Sequence, residues 1–403
     1  MGAPEIVQND EVLELLDELR TPVGRADPYP RYARLREISP ILRAADDAIV
    51  VLDYADCQTV VRDPRFAHMP ADMLAFIGFP DWRERPALVT LFTSMLLLNP
   101  PDHTRLRRLV SSAFTARRVE LLRPFIEQTV TELLDELPGA DFIEGFAFPL
   151  PVAVIGELLG VPAADRPQFQ TLVRDWTQVL EVISLENLET ADPAAATIRA
   201  YLADLLEERR RAPADDLMTA LVQAQAADDR LTDEEILANA ALLFAAGFET
   251  TTNLLANGLY ALLANPGQQA LLPVGPVPAV EELLRYDSPV QIAARVVVDP
   301  VELAGVTVPE GSRVVAYLGA GNRDPRRFDA PDTLDLTRAD NAPLSFGGGI
   351  HYCLGAPLAR VEVAAVLDAL RRHLPGVALA APPLRRPDFV MRGLRELRLG
   401  RVL

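Results

Sequence analysis

A helical pattern runs without interruption from Thr232 to Ala264 and sets the scale of the fold. It begins at "TDEE", where Thr232 can serve as the N-cap and Glu235 stands three positions on, the spacing of a capping box. It ends before "NPG", a strong stop signal. A helix of roughly 32 residues is about 48 Å long, enough to cross a whole domain. We therefore expect the chain to be built around one central helix.

Polar residues interrupt this apolar helix near its middle, at "AAGFETTT" from Ala245 to Thr252. A glycine inside a helix costs about 1 kcal/mol relative to alanine. Threonine hydroxyls can bond the carbonyl four residues back and bend a helix locally. An acidic residue beside threonines at such a bend indicates a helix that lines a functional site, although a tolerated defect would give the same letters.

The segment "FGGGIHYCLG" sets one of the two cysteines of the chain in a glycine-rich loop. Cys353 could be a thiol nucleophile with His351 as its base, but no other segment resembles an oxyanion site or an orienting acid. A zinc site would need several Cys or His ligands, and a single cysteine lies here. A lone thiolate ligand is instead typical of haem iron with an axial cysteine.

The residues around Cys353 meet the demands of such a haem site. A glycine-rich turn can direct backbone N–H groups at the sulfur. A helix predicted from "APLARVEVAAVLDALRRHLPG", with Pro357 near its start, would place the positive end of its dipole beside the thiolate. Haem propionates would need cationic partners, for which the candidates are His103, Arg107, Arg295 and His351.

Composition argues against several other classes of protein. A net charge of −18 and a pI near 4.7 argue against a nucleic-acid binder. The longest apolar stretches fall short of the roughly 20 residues that span a bilayer, and the acidic N-terminus lacks the pattern of a secretion signal. Two cysteines are too few for a disulfide framework, and Cys57 reads as a small buried thiol. The sequence predicts a cytoplasmic protein without a nucleic-acid or membrane partner.

Helical periodicity dominates the remaining segments, and no repeat or low-complexity linker divides them. "AIVVLDYADCQTVVRD" reads as a strand followed by a helix, and "VELAGVTVPEGSRVVAYLG" as a hairpin around Pro309, Glu310 and Gly311. The C-terminal "FVMRGLRELRLGRVL" alternates like a short strand pair. We therefore expect a single domain over residues 1–403 that is mainly α with a minor β layer.

Over nearly its whole length the sequence resembles the cytochrome P450 haem-thiolate monooxygenases in their soluble bacterial form. Three motifs carry the resemblance: the haem-binding loop, the acid–threonine pair of the central helix, and a Glu-x-x-Arg pair. The matching residues are Phe346, Gly349, His351, Cys353 and Gly355 for the first, Ala246, Gly247, Glu249 and Thr250 for the second, and Glu282 and Arg285 for the third.

The resemblance implies the cytochrome P450 fold, with the central helix over a haem b group and Cys353 as the iron ligand. It implies that Thr250 hydrogen-bonds dioxygen and that Glu249 helps to deliver protons, whereas Glu282 and Arg285 are buried and structural. The residues implied to bind the haem are His103, Arg107, Ala246, Arg295, Phe346, Gly347, His351, Cys353 and Gly355. Those implied to line the substrate pocket are Leu243, Ala246, Val290, Ile292 and Val390.

The implied reaction inserts one oxygen atom from O2 into a bulky apolar natural product, by hydroxylation or epoxidation. The chain most resembles actinobacterial enzymes that act on macrolides and other polyketides, and a peptide, terpenoid or aromatic substrate stays open. Electrons would come from a ferredoxin and its reductase, since the chain contains no flavin or iron–sulfur segment. The arginine-rich stretch from Arg105 to Arg118 would suit docking of an acidic ferredoxin. We expect a monomer.

Three alternatives are kept. A peroxide-using or fatty-acid-decarboxylating relative would carry an Arg-Pro pair in place of Glu249 and Thr250, and the presence of these two residues argues against it. A non-catalytic recruitment domain of the same fold would be expected to lose the haem cysteine or the central-helix residues, and both are intact. A Cys–His hydrolase or transferase from outside the family would be colourless and would react with thiol alkylators.

Overall fold

The computed structural model describes residues 5–137, 141–225, 231–272, 277–373 and 376–401. Helices make up most of this part of the chain. They are α1 (Asp10–Glu18), α2 (Pro22–Ala26), α3 (Tyr29–Ile38), α4 (Tyr54–Arg62), α5 (Pro86–Phe92), α6 (Asp102–Ala113), α7 (Ala116–Glu136), α8 (Pro149–Leu159), α9 (Phe169–Glu181), α10 (Leu185–Arg211), α11 (Leu217–Gln225), α12 (Asp233–Ala264), α13 (Pro266–Gln269), α14 (Val277–Tyr286), α15 (Leu318–Gly321) and α16 (Ala356–His373).

The strands are short and form a minor layer. They are β1 (Ile41–Arg43), β2 (Ile49–Val51), β3 (Phe66–Ala67), β4 (Ile292–Val297), β5 (Val301–Leu303), β6 (Val306–Val308), β7 (Arg313–Tyr317), β8 (Val377–Leu379), β9 (Leu384–Arg385), β10 (Leu394–Glu396) and β11 (Leu399–Arg401). The largest sheet has the order β1-β2-β7-β4-β3, in which β2 and β7 are parallel and the other neighbours are antiparallel. This mainly helical architecture with a minor sheet layer confirms the predicted class.

Helix α12 is the predicted central helix. The Thr232 hydroxyl accepts the Glu235 N–H at 3.2 Å, and the Glu235 carboxylate accepts the Thr232 N–H at 2.8 Å, so the capping box is formed. The helix ends at Ala264, directly before Asn265 and Pro266. Most of its side chains are buried, and it packs against α5, α8, α10, α14 and α16. A helix that is apolar on all sides lies inside the protein.

The predicted hairpin around Pro309 is wrong. Strands β5 and β6 form the hairpin instead, around Ala304 and Gly305, whose φ angles of 49° and 76° are both positive. Two successive positive φ angles are the requirement of a type I′ turn, which suits a two-residue hairpin. Strand β7 pairs instead with β2 and β4 at the centre of the larger sheet, where the four apolar residues after Arg313 are buried or half-buried.

The prediction that the C-terminal segment forms a strand pair is also wrong, because its two strands do not pair with each other. Strand β10 pairs with β9, and β11 pairs with β8, so each finds its neighbour upstream in the chain. The strand followed by a helix at "AIVVLDYADCQTVVRD" is confirmed by β2 and α4. Cys57 is fully buried between them, and burial raises the pKa of its thiol. None of the helices in the described ranges is both long and apolar enough to cross a membrane.

Candidate active site

The glycine-rich loop packs against the end of α4 and leads into α16. Gly347 and Gly349 have φ angles of 68° and 61°, which side chains other than glycine rarely tolerate. A Cβ atom on Gly349 would lie 3.0 Å from the Cα of Arg62, so this glycine also permits the close packing on α4. Gly355 is the one of these three glycines that lies near the sulfur, because its Cβ would be 3.9 Å from Cys353 Sγ.

Cys353 is held at the N-terminal end of α16. Its backbone N–H donates to the Phe346 carbonyl at 2.9 Å, which closes the loop. Burial raises the pKa of the thiol, while the backbone N–H groups of Gly355 and Ala356 and the Arg107 guanidinium act in the opposite direction. Such N–H donors stabilise negative charge on sulfur, and a metal ion bound there would remove the thiol proton outright. The surroundings of Cys353 therefore suit a thiolate ligand.

The four predicted cationic residues come together beside this loop. The rings of His103 and His351 have centroids 4.1 Å apart, and Arg107 donates to the Tyr352 carbonyl at 2.6 Å. Arg295 lies on β4, and burial lowers its pKa to about 10. Burial, followed by the charges of His103, Arg295 and Arg107, lowers the pKa of His351 to about 3. The structure thus gathers several cationic or proton-donating groups at one place.

This basic cluster fits a ligand that carries carboxylates. Within the described ranges, no carboxylate forms an ion pair with Arg107 or Arg295. Both ring nitrogens of His103 are buried, and neither finds a hydrogen-bond partner in that part of the chain. Buried polar atoms are normally bonded, so these donors indicate a bound group that supplies acceptors. The two propionates of a haem have this chemistry, and the adjacent thiol supplies the iron ligand.

His68 joins the cluster and was missed by the sequence reasoning. Its ring centroid is 4.4 Å from that of His351, and its Nε2 atom has no partner among the described residues. The Asn99 side chain holds its backbone, accepting the His68 N–H and donating to the His68 carbonyl, both at 2.9 Å. The Asn99 carbonyl also accepts the N–H of His103 at 3.0 Å. The signal that could have found His68 is the rarity of histidine, of which the chain has four.

Helix α12 leaves part of one face uncovered at its polar middle, and we call this uncovered patch the opening. Ala246 is exposed and Thr250 is half-buried, although most residues of this helix are buried. These residues are four positions apart and therefore share one face. The Thr250 hydroxyl donates to the Ala246 carbonyl at 2.9 Å, as expected for a threonine at a helix bend. The structure thus presents one small apolar side chain and one hydroxyl to the opening.

Glu249, next to Thr250, is 3% exposed and forms an ion pair with Arg386. Arg386 also binds Asp388 at 2.7 Å, so two carboxylates share one guanidinium. Arg386 and Asp388 were missed, because they lie in the C-terminal segment and nothing in the local pattern links them to α12. The delivery of protons by Glu249 therefore stays a prediction that must take this arginine into account.

The five predicted pocket residues come from α12, the start of β4 and the segment between β9 and β10. Leu243 is buried on α12, whereas Val290, Ile292 and Val390 are half-buried. Backbone contacts join two of these segments: the Gln291 N–H donates to the Val390 carbonyl at 2.9 Å. Val290 and Val390 are thereby brought into one wall.

The third motif lies apart from the opening. Glu282 and Arg285 are both fully buried on α14, as the resemblance implied. Two hydrogen bonds of 2.8 Å join them. Their burial and mutual bonding agree with a structural role.

The central helix, the thiol loop and the basic cluster define an oxidoreductase that binds a prosthetic group. The family model for cytochrome P450 matches residues 159–272 and 278–374. The cytochrome P450 monooxygenase PikC of Streptomyces venezuelae is 41% identical over 394 residues, covering 92% of this chain and 90% of PikC. The 6-deoxyerythronolide B hydroxylase of Saccharopolyspora erythraea is 38% identical over 401 residues, covering 94% of this chain and 97% of the hydroxylase.

A solved structure has the same fold. The crystal structure of P450BioI in complex with an acyl carrier protein ligated to hexadec-9Z-enoic acid superposes with a TM-score of 0.86 at 36% identity, covering 94% of this chain and 99% of that one. The chain belongs to the cytochrome P450 family. It is a monooxygenase, and members of this family use haem.

Proposed function

We propose that this monooxygenase inserts one oxygen atom from dioxygen into a C–H or C=C bond of a bulky, mainly apolar natural-product intermediate, a macrolide or another polyketide. Two observations carry the proposal: the opening at Ala246 and Thr250 of α12, and the wall that joins Val290 to Val390. One relative is named as a hydroxylase of 6-deoxyerythronolide B and aligns over 94% of this chain. Apolar side chains dominate the proposed pocket, which suits a substrate of this class.

The prosthetic group is proposed to be haem b. Cys353 would bind its iron, the basic cluster would bind its propionates, and small or aromatic residues would pack on its faces. The residues proposed to hold it are His68, His103, Arg107, Ala246, Arg295, Phe346, Gly347, His351, Cys353 and Gly355. When bound, the haem supplies the activation of dioxygen and the oxidation of the substrate, with two electrons from outside the chain.

Thr250 and Glu249 are proposed to handle protons at the opening. The Thr250 hydroxyl donates its one hydrogen bond to the Ala246 carbonyl. Toward a group in the opening, its oxygen can therefore act only as an acceptor. Arg386 donates to one oxygen of the Glu249 carboxylate, Oε1, which leaves the other oxygen available to take a proton. Asp388 offers that arginine a second carboxylate, which keeps the guanidinium paired.

Electrons are proposed to come from a ferredoxin and its reductase. Of the predicted docking stretch, Arg105 pairs with Glu235 and Arg118 pairs with Asp215, whereas Arg117 is exposed. An acidic ferredoxin would be steered to this face, and its electron-transfer rate would fall as salt rises. The protein is proposed to act as a monomer with a single domain.

The first experiment is an absorbance spectrum of the purified protein, reduced with dithionite and exposed to carbon monoxide. A strongly red-shifted Soret band is expected for the wild type and should disappear in Cys353→Ala. An unshifted band in the wild type would contradict thiolate ligation. A colourless protein that takes up no added haemin would contradict the haem site altogether.

The substrate class is tested by titrating the haem protein with 6-deoxyerythronolide B and with peptide, terpenoid and aromatic compounds of similar size. Binding beside the haem shifts the Soret band, and oxidation is then followed by mass spectrometry with 18O2. We expect binding and one added oxygen atom with the macrolactone, and weaker binding in Val390→Trp than in the exposed control Val182→Trp. Oxidation of one of the other compounds alone would contradict the polyketide assignment.

A further inference from the structure

A carboxylate at the end of α9 binds three successive backbone N–H groups of the segment between β9 and β10. Glu181 Oε2 accepts the N–H groups of Phe389 and Val390, both at 2.8 Å, and Oε1 accepts that of Met391 at 2.6 Å. Successive backbone N–H groups that converge on one anion make a concavity that binds the anion. The main chain around Val390 is therefore shaped by the Glu181 side chain.

The opposite edge of this segment is held by backbone bonds. The Val390 carbonyl accepts the Gln291 N–H at 2.9 Å, and the Arg392 N–H donates to the Pro289 carbonyl at 2.7 Å. These bonds tie the segment to the start of β4 independently of any side chain. Toward α9, by contrast, the three hydrogen bonds among the described residues all end on one carboxylate. Glu181 is thus the polar link between α9 and the wall that carries Val390.

We infer that Glu181 is a positioning residue for the substrate pocket, holding the Val390 wall at a set distance from α9 and so limiting which substrates fit. The inference rests on the proposed function, since it takes Val390 as part of that pocket. Without the carboxylate, three half-buried N–H groups lose their acceptor, and the cost of leaving them unbonded drives the backbone toward water. The wall then shifts, while Cys353 and Thr250 keep their own contacts.

The first test measures, without substrate, whether Glu181 holds the three backbone N–H groups. Amide hydrogen exchange is followed by mass spectrometry in the haem protein for the wild type, Glu181→Gln, Glu181→Ala and the exposed control Glu189→Gln. We expect the amides of Phe389, Val390 and Met391 to exchange at least about tenfold faster in Glu181→Ala. Glu181→Gln should fall between, because one amide oxygen remains as acceptor, and the control should match the wild type. Unchanged exchange in Glu181→Ala overturns the inference.

The second test separates positioning from a general structural role. In steady-state oxidation of the macrolactone, Glu181→Ala should raise KM about tenfold and change kcat less than about twofold, with Glu181→Gln partly restoring KM. Faster exchange with an unchanged KM overturns the inference, as does a fall in kcat with KM unchanged.

The inference and the proposed function fail in different ways. If the wild type oxidises no macrolactone, the proposed substrate class fails, and the wall is then tested with 4-phenylimidazole, an apolar ligand of haem iron. The affinity for this ligand should change in Glu181→Ala and not in Glu189→Gln. Equal affinity in all the variants overturns the positioning role of Glu181.

Discussion

Two buried pairs of glutamate and arginine differ in how completely their polar atoms are bonded. On α14, Glu282 and Arg285 are both fully buried and are three residues apart. On α12, Glu249 is almost as buried, but its partner Arg386 lies 137 residues away in the chain. The first pair lies on α14, whereas the second adjoins Thr250 in the sequence of α12.

The α14 pair is the centre of a saturated network. Besides Arg285, the Glu282 carboxylate accepts three further donors, and Arg285 donates to three backbone carbonyls as well. The donors to Glu282 are the Asp335 N–H and the side chains of Arg338 and Asn341, and the acceptors of Arg285 are the carbonyls of Asn322, Pro331 and Thr333. A buried charge so fully bonded cannot change its partners without large cost, so we expect this network to be structural.

The α12 pair has room to change. Among the described residues, Arg386 is the one side chain that pairs with the Glu249 carboxylate, and Arg386 has Asp388 as a second carboxylate. Arg386 can therefore move from Glu249 to Asp388 at moderate cost, because it stays paired with a carboxylate. Both carboxylates are buried and paired, and they differ in the number of their partners and in their position relative to Thr250. This difference is the reason that Glu249, and not Glu282, is proposed to handle protons.

Removing Arg285 should have the largest effect on the free energy of unfolding. Arg285→Ala leaves the fully buried Glu282 carboxylate without its bidentate partner, and the expected loss is about 3–5 kcal/mol. Urea unfolding followed by circular dichroism measures this loss. Arg34→Ala, in an exposed ion pair with Glu11, serves as the control and should change little. A similarly small effect of Arg285→Ala would show that the network is not structural.

Glu362 extends the comparison to a buried carboxylate without a cation. It is 1% exposed on α16, its Oε2 atom has no partner in the described ranges, and burial raises its pKa to about 8. The unfolded state can lose this proton from about pH 4.5 upward, but the folded state can lose it only near pH 8. Stability is therefore lost as pH rises through this window, by about 1.4 kcal/mol per pH unit.

Glu362→Gln should abolish this pH dependence. Between pH 5.5 and 7.5, the wild type is expected to lose about 2.5 kcal/mol of unfolding free energy relative to the variant. Urea unfolding of both proteins at the two pH values measures the difference, with Glu189→Gln as the exposed control. Parallel pH profiles of wild type and Glu362→Gln would mean that Glu362 is ionised and paired in the folded protein.

Glu249→Gln should have the smallest effect on unfolding and a large effect on rate. Arg386 keeps Asp388 as its partner, so we expect a change of less than about 1 kcal/mol in unfolding free energy. A carboxamide cannot transfer the proton, so product formation should fall about a hundredfold. Unfolding and turnover are measured on the same preparation, and Asp388→Asn, which removes the second carboxylate, should slow turnover less. A loss of stability as large as in Arg285→Ala would remove the distinction between the pairs.

Several features could be predicted because their signals are local. The capping box at Thr232 and the stop at Pro266 lie within a few residues of the helix ends they define. The loop before Cys353 and the helix after it follow from glycine positions and from the proline near the helix start. The hairpin at Pro309 failed for the opposite reason: the turn signal was local, but β7 finds its partner in β2, far back in the chain.

The sequence by itself determined the family, the central helix, the candidate thiolate and the acid–threonine pair. Each of these is recognised from residues that are close together in the chain. Tertiary structure alone decided that His68 stands against His351, that Arg386 pairs with Glu249, and that Glu181 holds the backbone at Val390. Each of these contacts joins segments more than 100 residues apart in the chain. Local sequence patterns cannot reveal such contacts, because buried polar groups take whichever partners the folded chain places next to them.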